Sequence, residues 1–276
     1  MPEGHLLHRF ARLHREHLGG RAISASSPQG RFAEAAARID GRVLDEVEAY
    51  GKHLFHRFDG STVHIHLGRQ GTLLWLPAPP PAPRTSVRLR MSADAGAADL
   101  IAPLRCELGE AGLRDRVVSG LGPDPLRADA DPDRVWSGLQ ATGQAVGAAL
   151  LDQSLVAGIG NVLRAELLNL TGVHPETPAS SIDRATFDAL WRTTVDVMTT
   201  AVEEGRIITR RPAGATPADL DEIEGRFVYK RDTCGRCGTP VEGLTLADRA
   251  INACPVCQPR QRTTRSPDET RTSPGG

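Results

Sequence analysis

Residues 234–257 read CGRCGTPVEGLTLADRAINACPVC. Two Cys-x2-Cys pairs, Cys234/Cys237 and Cys254/Cys257, stand sixteen residues apart, the spacing of a tetrahedral four-cysteine zinc site. Gly235, Gly238 and Pro255 supply turn residues beside the thiols. Four thiolates fill the coordination sphere, so the expected metal is one structural Zn2+ per chain. Residues 246–252 are expected to form the returning strands of the hairpin, with Arg249 at its tip and facing a phosphate. Spacing alone leaves open whether Arg249 is such a ligand or an ordinary exposed arginine. The fifth cysteine, Cys106, is expected to be a small buried hydrophobe.

Charge around the hairpin is uneven. Residues 226–262 hold seven Lys/Arg and three Asp/Glu, a local charge of +4, on a 276-residue chain whose net charge is -1. Residues 94–134 hold five Arg against nine acidic residues, a local -4. A basic C-terminal module on a near-neutral chain is a nucleic-acid footprint. Only Lys52 and Lys230 of the 33 basic residues are lysines, which singles out positions where a compact ammonium is kept. No apolar run approaches the ~20 residues that cross a bilayer, and the N-terminus is unlike a signal peptide. A cytoplasmic, nucleoid-associated protein without membrane contact, active as a monomer, is expected.

Upstream of the hairpin the pattern is helical. Segments 133–141, 145–151, 159–170 and 183–204 carry apolar residues at three- and four-residue spacing, and 207–225 is a polar loop. The turn Gln153–Asn161 contains Gly158 and Gly160, which permit close backbone approach; the N–H groups opening the next helix then form an anion site, and Asn161 adds a donor. A plain helix-turn-helix packing motif accounts for that turn equally well on its own. Gly120–Pro132 marks a boundary, before which 43–49, 53–58, 62–66, 72–76 and 87–91 alternate as in an antiparallel sandwich, with 77–83 a stiff connector. His5–Leu18 reads as an amphipathic helix with Leu6, Phe10, Leu13 and His17 on its apolar stripe.

That helix is preceded by Met1-Pro2-Glu3-Gly4. With Met1 removed, Pro2 presents a secondary amine whose pKa of roughly 7.7–8.0 leaves a nucleophilic fraction at neutral pH. Taken alone, Pro2-Glu3 is just as readily the first turn of a helix.

Four segments occur in order: Met1-Pro2-Glu3-Gly4, Gly51-Lys52-His53-Leu54, Gln153–Asn161 and the cysteine hairpin ending Cys254-Pro255-Val256-Cys257-Gln258. Together they closely resemble the formamidopyrimidine-DNA glycosylase/endonuclease VIII family, over residues 2 to about 258. Gly4 and the run His5-Leu6-Leu7-His8 resemble the actinobacterial endonuclease VIII branch. The resemblance implies an α+β multidomain fold: an N-terminal antiparallel β-sandwich with an N-terminal helix (2–122), a helix–two-turn–helix domain and following loop (123–225), and a zinc-finger β-hairpin (226–259). Residues 260–276 are expected to be a disordered tail.

What the resemblance implies about activity is a bifunctional DNA glycosylase and abasic-site lyase of base-excision repair. It would act on damaged double-stranded DNA, favour oxidised pyrimidines and cut by β,δ-elimination. Pro2 matches the nucleophile, Glu3 the general acid, Lys52 the catalytic lysine, Arg249 the zinc-finger arginine, and Asn161 a DNA-backbone contact. Arg69 and Gln70 stand where relatives place an apolar or aromatic pair that fills the gap left by the flipped base, and Leu6 stands where glutamate is frequent. The alternatives are a non-catalytic zinc-finger protein that binds damaged DNA, an 8-oxoguanine/formamidopyrimidine-specific member of the family, and a metalloenzyme using the pairs His5/His8, His14/His17 and His64/His66.

Overall fold

The computed structural model describes residues 2–260; the expected disordered tail lies, beyond Arg260, outside the described residues. Helix α1 (Gly4–Leu18) buries Leu7, Phe10, Ala11, His14 and Leu18. This stripe is wider than the expected one and rotated from it, because the helix packs on two sides: against the sandwich and against a long helix of the C-terminal half.

The chain then runs through β1 (Ser24–Ser26), α2 (Ala33–Ile39), β2 (Glu46–Tyr50), β3 (His53–Phe58), β4 (Ser61–His66), β5 (Thr72–Pro77), β6 (Val87–Ala93), β7 (Gly96–Ile101), β8 (Arg105–Glu110) and α3 (Leu113–Val118). Two antiparallel four-stranded sheets result, in the orders β1-β6-β7-β5 and β2-β3-β4-β8. Their facing apolar residues, with those of α1 and α2, form one core that includes Leu7, Leu44, Leu54, Val63, Ile65 and Leu100. Strand β2 begins later than the alternation 43–49 suggests; Val43 makes only an isolated bridge to Ala22. Inside the β6–β7 ladder, Arg90 grips Asp99 through two bonds of 2.6 and 2.7 Å, a buried charge pair with its partner supplied.

The second half holds α4 (Pro132–Ala141), α5 (Val146–Ala149), α6 (Asn161–Leu170) and α7 (Arg184–Glu204), then the hairpin β9 (Glu242–Leu246) and β10 (Arg249–Ala253). Asp131 and Asp183 cap α4 and α7 by accepting N–H bonds, and Gly205 (φ 75°) ends α7. The segment expected as a helix over 145–151 is a single turn, and 207–225 holds only the short 3-10 turn Pro217–Asp219. Ile251, Cys234 and Cys254 share a core with Leu163, Leu167, Phe187 and Met198, so the hairpin is packed onto the helices rather than tethered to them.

The halves are joined by specific bonds. Asp124 Oδ2 lies 2.7 Å from His8 Nε2 and accepts the Gly51 N–H at 2.7 Å. Tyr50 donates its hydroxyl to the Gly122 carbonyl at 3.0 Å. Arg9 donates to the Val202 and Glu203 carbonyls at the end of α7. No helix among the described residues is long and apolar enough to cross a membrane.

Candidate active site

Pro2 lies at the start of α1, in the wall of two cavities that meet there. One, of about 750 Å³, is lined by Lys52, His66, Leu104 and Arg249; the other, of about 360 Å³, by His5, Leu6, Arg226, Tyr229 and Lys230. Arg69 and Gln70, in the turn between β4 and β5, border both.

Glu3 is completely buried. Its carboxylate crosses to the other half and accepts N–H bonds from Gly160 (3.0 Å), Val162 (2.8 Å) and Leu163 (3.2 Å) at the start of α6. The expectation that these donors form an open phosphate site is therefore corrected: the anion they hold is the chain's own Glu3. Burial raises the proton affinity of Glu3 above the ordinary carboxyl range, against the opposing pull of Lys52 and the three amides. Glycine at 160 is what permits this, since a Cβ there would lie 2.4 Å from Glu3 Cδ. The approach of α1 is equally tight. Gly4 donates its N–H to Gly158 O at 2.9 Å, and a Cβ on Gly4 would lie 2.8 Å from Gly158 Cα.

Lys52 follows Gly51, whose φ of 54° turns the chain between β2 and β3. Its Nζ donates to the Ile159 carbonyl at 2.5 Å. Burial lowers its pKa, Glu3 opposes that, and the positive charges of Arg249 and Arg164 add to it. Arg249 is exposed at the first position of β10, beside a turn made by Ala247 and Asp248 in the left-handed region. The returning strand thus starts at 249 rather than 246. Asn161 is the first residue of α6, with its Oδ1 buried and without a partner. Pro2, Lys52, Arg69, Gln70 and Arg249 all face the larger cavity. Glu3 stands behind it, and Asn161 lines neither cavity.

Sequence reasoning assigned no part in this site to three residues. His66 lines the larger cavity, and its Nδ1 accepts the Gly68 N–H at 3.1 Å, which leaves the proton on Nε2 as a donor. Burial, with the nearby positive groups, pushes its pKa down to about 4. Arg164 is fully buried and donates to Gly147 O (2.7 Å) and Ala250 O (3.0 Å), tying β10 to the helices. Glu166, also buried, accepts N–H bonds from Phe227 (2.7 Å), Val228 (2.9 Å) and Tyr229 (2.8 Å), which holds the segment carrying Arg226 and Lys230. A charged residue amid the apolar run 162–168 was the available signal for both.

The four cysteine sulfurs lie within 4.8 Å of one another. Cys234–Cys257 (3.9 Å), Cys237–Cys254 (3.5 Å) and Cys237–Cys257 (3.5 Å) bracket the roughly 3.8 Å between thiolates placed tetrahedrally at the Zn–S distance of about 2.3 Å. Among the described residues no other group of three or more His, Cys, Asp or Glu gathers in this way. His64 is engaged by His53 and Glu107 at 2.8 Å each, so the histidine-metal alternative lacks a ligand set.

The formamidopyrimidine-DNA glycosylase N-terminal domain model matches residues 1–101, and the formamidopyrimidine-DNA glycosylase H2TH domain model matches residues 121–212. "Endonuclease 8 1" of Mycobacterium tuberculosis is 42% identical over 271 residues, covering 94% of this chain and all of that protein. The formamidopyrimidine-DNA glycosylase of Gloeobacter violaceus is 31% identical, covering 95% and 98%. A Lactococcus lactis Fpg solved with DNA containing an abasic site superposes with a TM-score of 0.75 at 23% identity, covering 94% and 100%. A sandwich and a helical half that meet near Pro2, with two family models covering most of the chain, place this protein in the formamidopyrimidine-DNA glycosylase family, to which the endonuclease 8 proteins also belong.

Proposed function

We propose that Pro2, freed by removal of Met1, is the nucleophile of a glycosylase and abasic-site lyase that removes oxidised bases, pyrimidines favoured, from duplex DNA. The observation that carries this is the position of Pro2 where the basic cleft and the smaller polar cavity meet. The cleft takes the DNA backbone, and the smaller cavity takes the base once it is rotated out of the stack.

In the first step the Pro2 nitrogen forms a bond to C1′ as the glycosidic bond breaks. The bonding pair leaves on the base, which takes up the proton that the Pro2 nitrogen gives up after forming the new bond, so the nitrogen regains its lone pair. Glu3 then donates its proton to the ring oxygen O4′ as the C1′–O4′ bond opens, and the nitrogen lone pair closes an iminium. Because Pro2 is a secondary amine, that iminium carries no N–H to lose. Its positive charge acidifies C2′, and departure of the C2′ proton expels the 3′ phosphate. A second proton loss, from C4′, expels the 5′ phosphate, and water releases the sugar remnant from Pro2. A buried carboxyl with raised proton affinity suits the donor role. Lys52, His66 and Arg249 face the cleft as cationic or N–H donors for the phosphates beside the lesion.

Arg69 and Gln70 enter the gap left by the base, the guanidinium stacking on the remaining bases. Leu104, 74% exposed beside Gly68, supplies the apolar surface that this pair lacks. The cysteine cluster takes one structural Zn2+ through Cys234, Cys237, Cys254 and Cys257, which fixes the hairpin that presents Arg249. Of the proposed units, 2–122, 123–225 and 226–259, the first is supported by a sandwich core of its own, while the other two share one core.

Borohydride reduction on an oligonucleotide bearing an abasic site tests the reading. Protein joined covalently to DNA through residue 2 is expected. Failure to trap any adduct, with proline confirmed as the N-terminal residue by mass spectrometry, would overturn it.

A further inference from the structure

The wall of the smaller cavity holds a buried histidine that the proposed mechanism does not use. His5, next but two to Pro2, is 5% exposed, lines the cavity, and has its Nδ1 sealed from solvent without a hydrogen-bond partner. Since Nδ1 is closed off, Nε2 is the only ring nitrogen able to meet the cavity. A neutral imidazole carries one proton, and a buried N–H without an acceptor is costlier than a bare lone pair. The proton therefore sits on Nε2. Burial and the positive groups around it push the His5 pKa down to about 4, which keeps the ring neutral at working pH.

Around it the wall mixes fixed donors with Gln70, Thr72 and Tyr229, which can each donate or accept, so the His5 N–H is a fixed donor among adaptable groups. Arg226 and Lys230 supply only donors, and the cavity's one carboxylate, Glu222, is bonded to Arg226 at 3.0 Å. Leu6, on the same turn as His5, offers no acceptor. Resting on the reading of this cavity as the base pocket, we propose that His5 Nε2–H donates a hydrogen bond to a carbonyl oxygen of the everted base. That fixed donor favours dioxo pyrimidines, the oxidised or reduced uracil and thymine rings, which present carbonyl oxygens at both C2 and C4, over rings that turn an exocyclic amine toward it.

The test is single-turnover excision from duplexes carrying dihydrouracil or 5-hydroxycytosine, with borohydride trapping at a preformed abasic site in parallel. The wild type should excise dihydrouracil at least 10-fold faster than 5-hydroxycytosine. His5→Leu should slow dihydrouracil excision 10- to 100-fold and shrink that preference, while trapping at the abasic site, which has no base to read, changes less than 3-fold. His5→Gln, whose amide N–H reaches to nearly the same place as Nε2, should restore excision to within about 5-fold of wild type. Equal losses in excision and trapping, an unchanged preference, or no rescue by glutamine would each overturn the role of His5. Absence of trapping by the wild type would instead remove the nucleophile reading on which it rests.

Discussion

At the scale of single residues the active site depends on where protons reside. Glu3 is held by three amides and, among the described residues, is the carboxyl with both raised proton affinity and a position beside Pro2. The amine that Pro2 would present once Met1 is removed needs no activating base, because an α-amino group is partly neutral near pH 7. Pro2→Gly is expected to lower the rate of base excision at least 100-fold, with the cysteine site still taking one metal per chain. Rates from quenched-flow assays and metal content by mass spectrometry check this; unchanged turnover would reassign the nucleophile. These roles were half legible in the sequence. Pro2-Glu3 was visible, but Glu3's partners lie about 160 positions away, and His66 reveals its tautomer only through the Gly68 amide.

At the scale of elements the decisive joint is the start of α6. Its orphan N–H groups are satisfied from α1 rather than from its own cap residue, Gly160. Gly160→Ala forces Glu3 from its seat, leaving up to three buried donors unpaired at about 1–3 kcal/mol each. We expect a loss of at least 2 kcal/mol in thermal or denaturant unfolding, and a parallel fall in excision. Wild-type stability in that variant would show that the joint yields easily. Polar–apolar spacing in the sequence found α1, β3 to β6, α4, α6 and α7; β4 and α6 keep that spacing although both are buried almost throughout. It missed β7, whose residues 96–100 are all buried and do not alternate, and where Asp99 depends on Arg90 across the ladder. It missed β8, which is half-buried throughout, and β1, α2 and α3, which are too short to show a period.

At the scale of the whole molecule two couplings are measurable. The hairpin shares its core with the helices, so removing metal with a thiol-competent chelator should lower the melting temperature of the helical half as well as weaken DNA binding at least 10-fold. Calorimetry and fluorescence anisotropy would read both; undiminished binding would detach Arg249 from the DNA. Acid stability is the second. Burial lowers the pKa values of His5 and His14 from 6.5 to about 4. The folded state keeps these rings neutral while the unfolded chain protonates them. Stability is therefore intact above pH 6.5 and falls as pH drops toward 4, by on the order of 3 kcal/mol for each ring. A melting temperature that stayed flat across that window would show that these rings are hydrated in the fold.

In the proposed mechanism Glu3 serves two masters, and this restricts the routes along which the protein can change. Any substitution at residue 3, 158 or 160 is at once a change in chemistry and a change in how the two halves fit. A lineage losing the activity at one of these three positions would therefore lose stability in the same mutational step. Inactive descendants should be reached through Pro2, Lys52 or the cleft, with the Glu3 joint left intact.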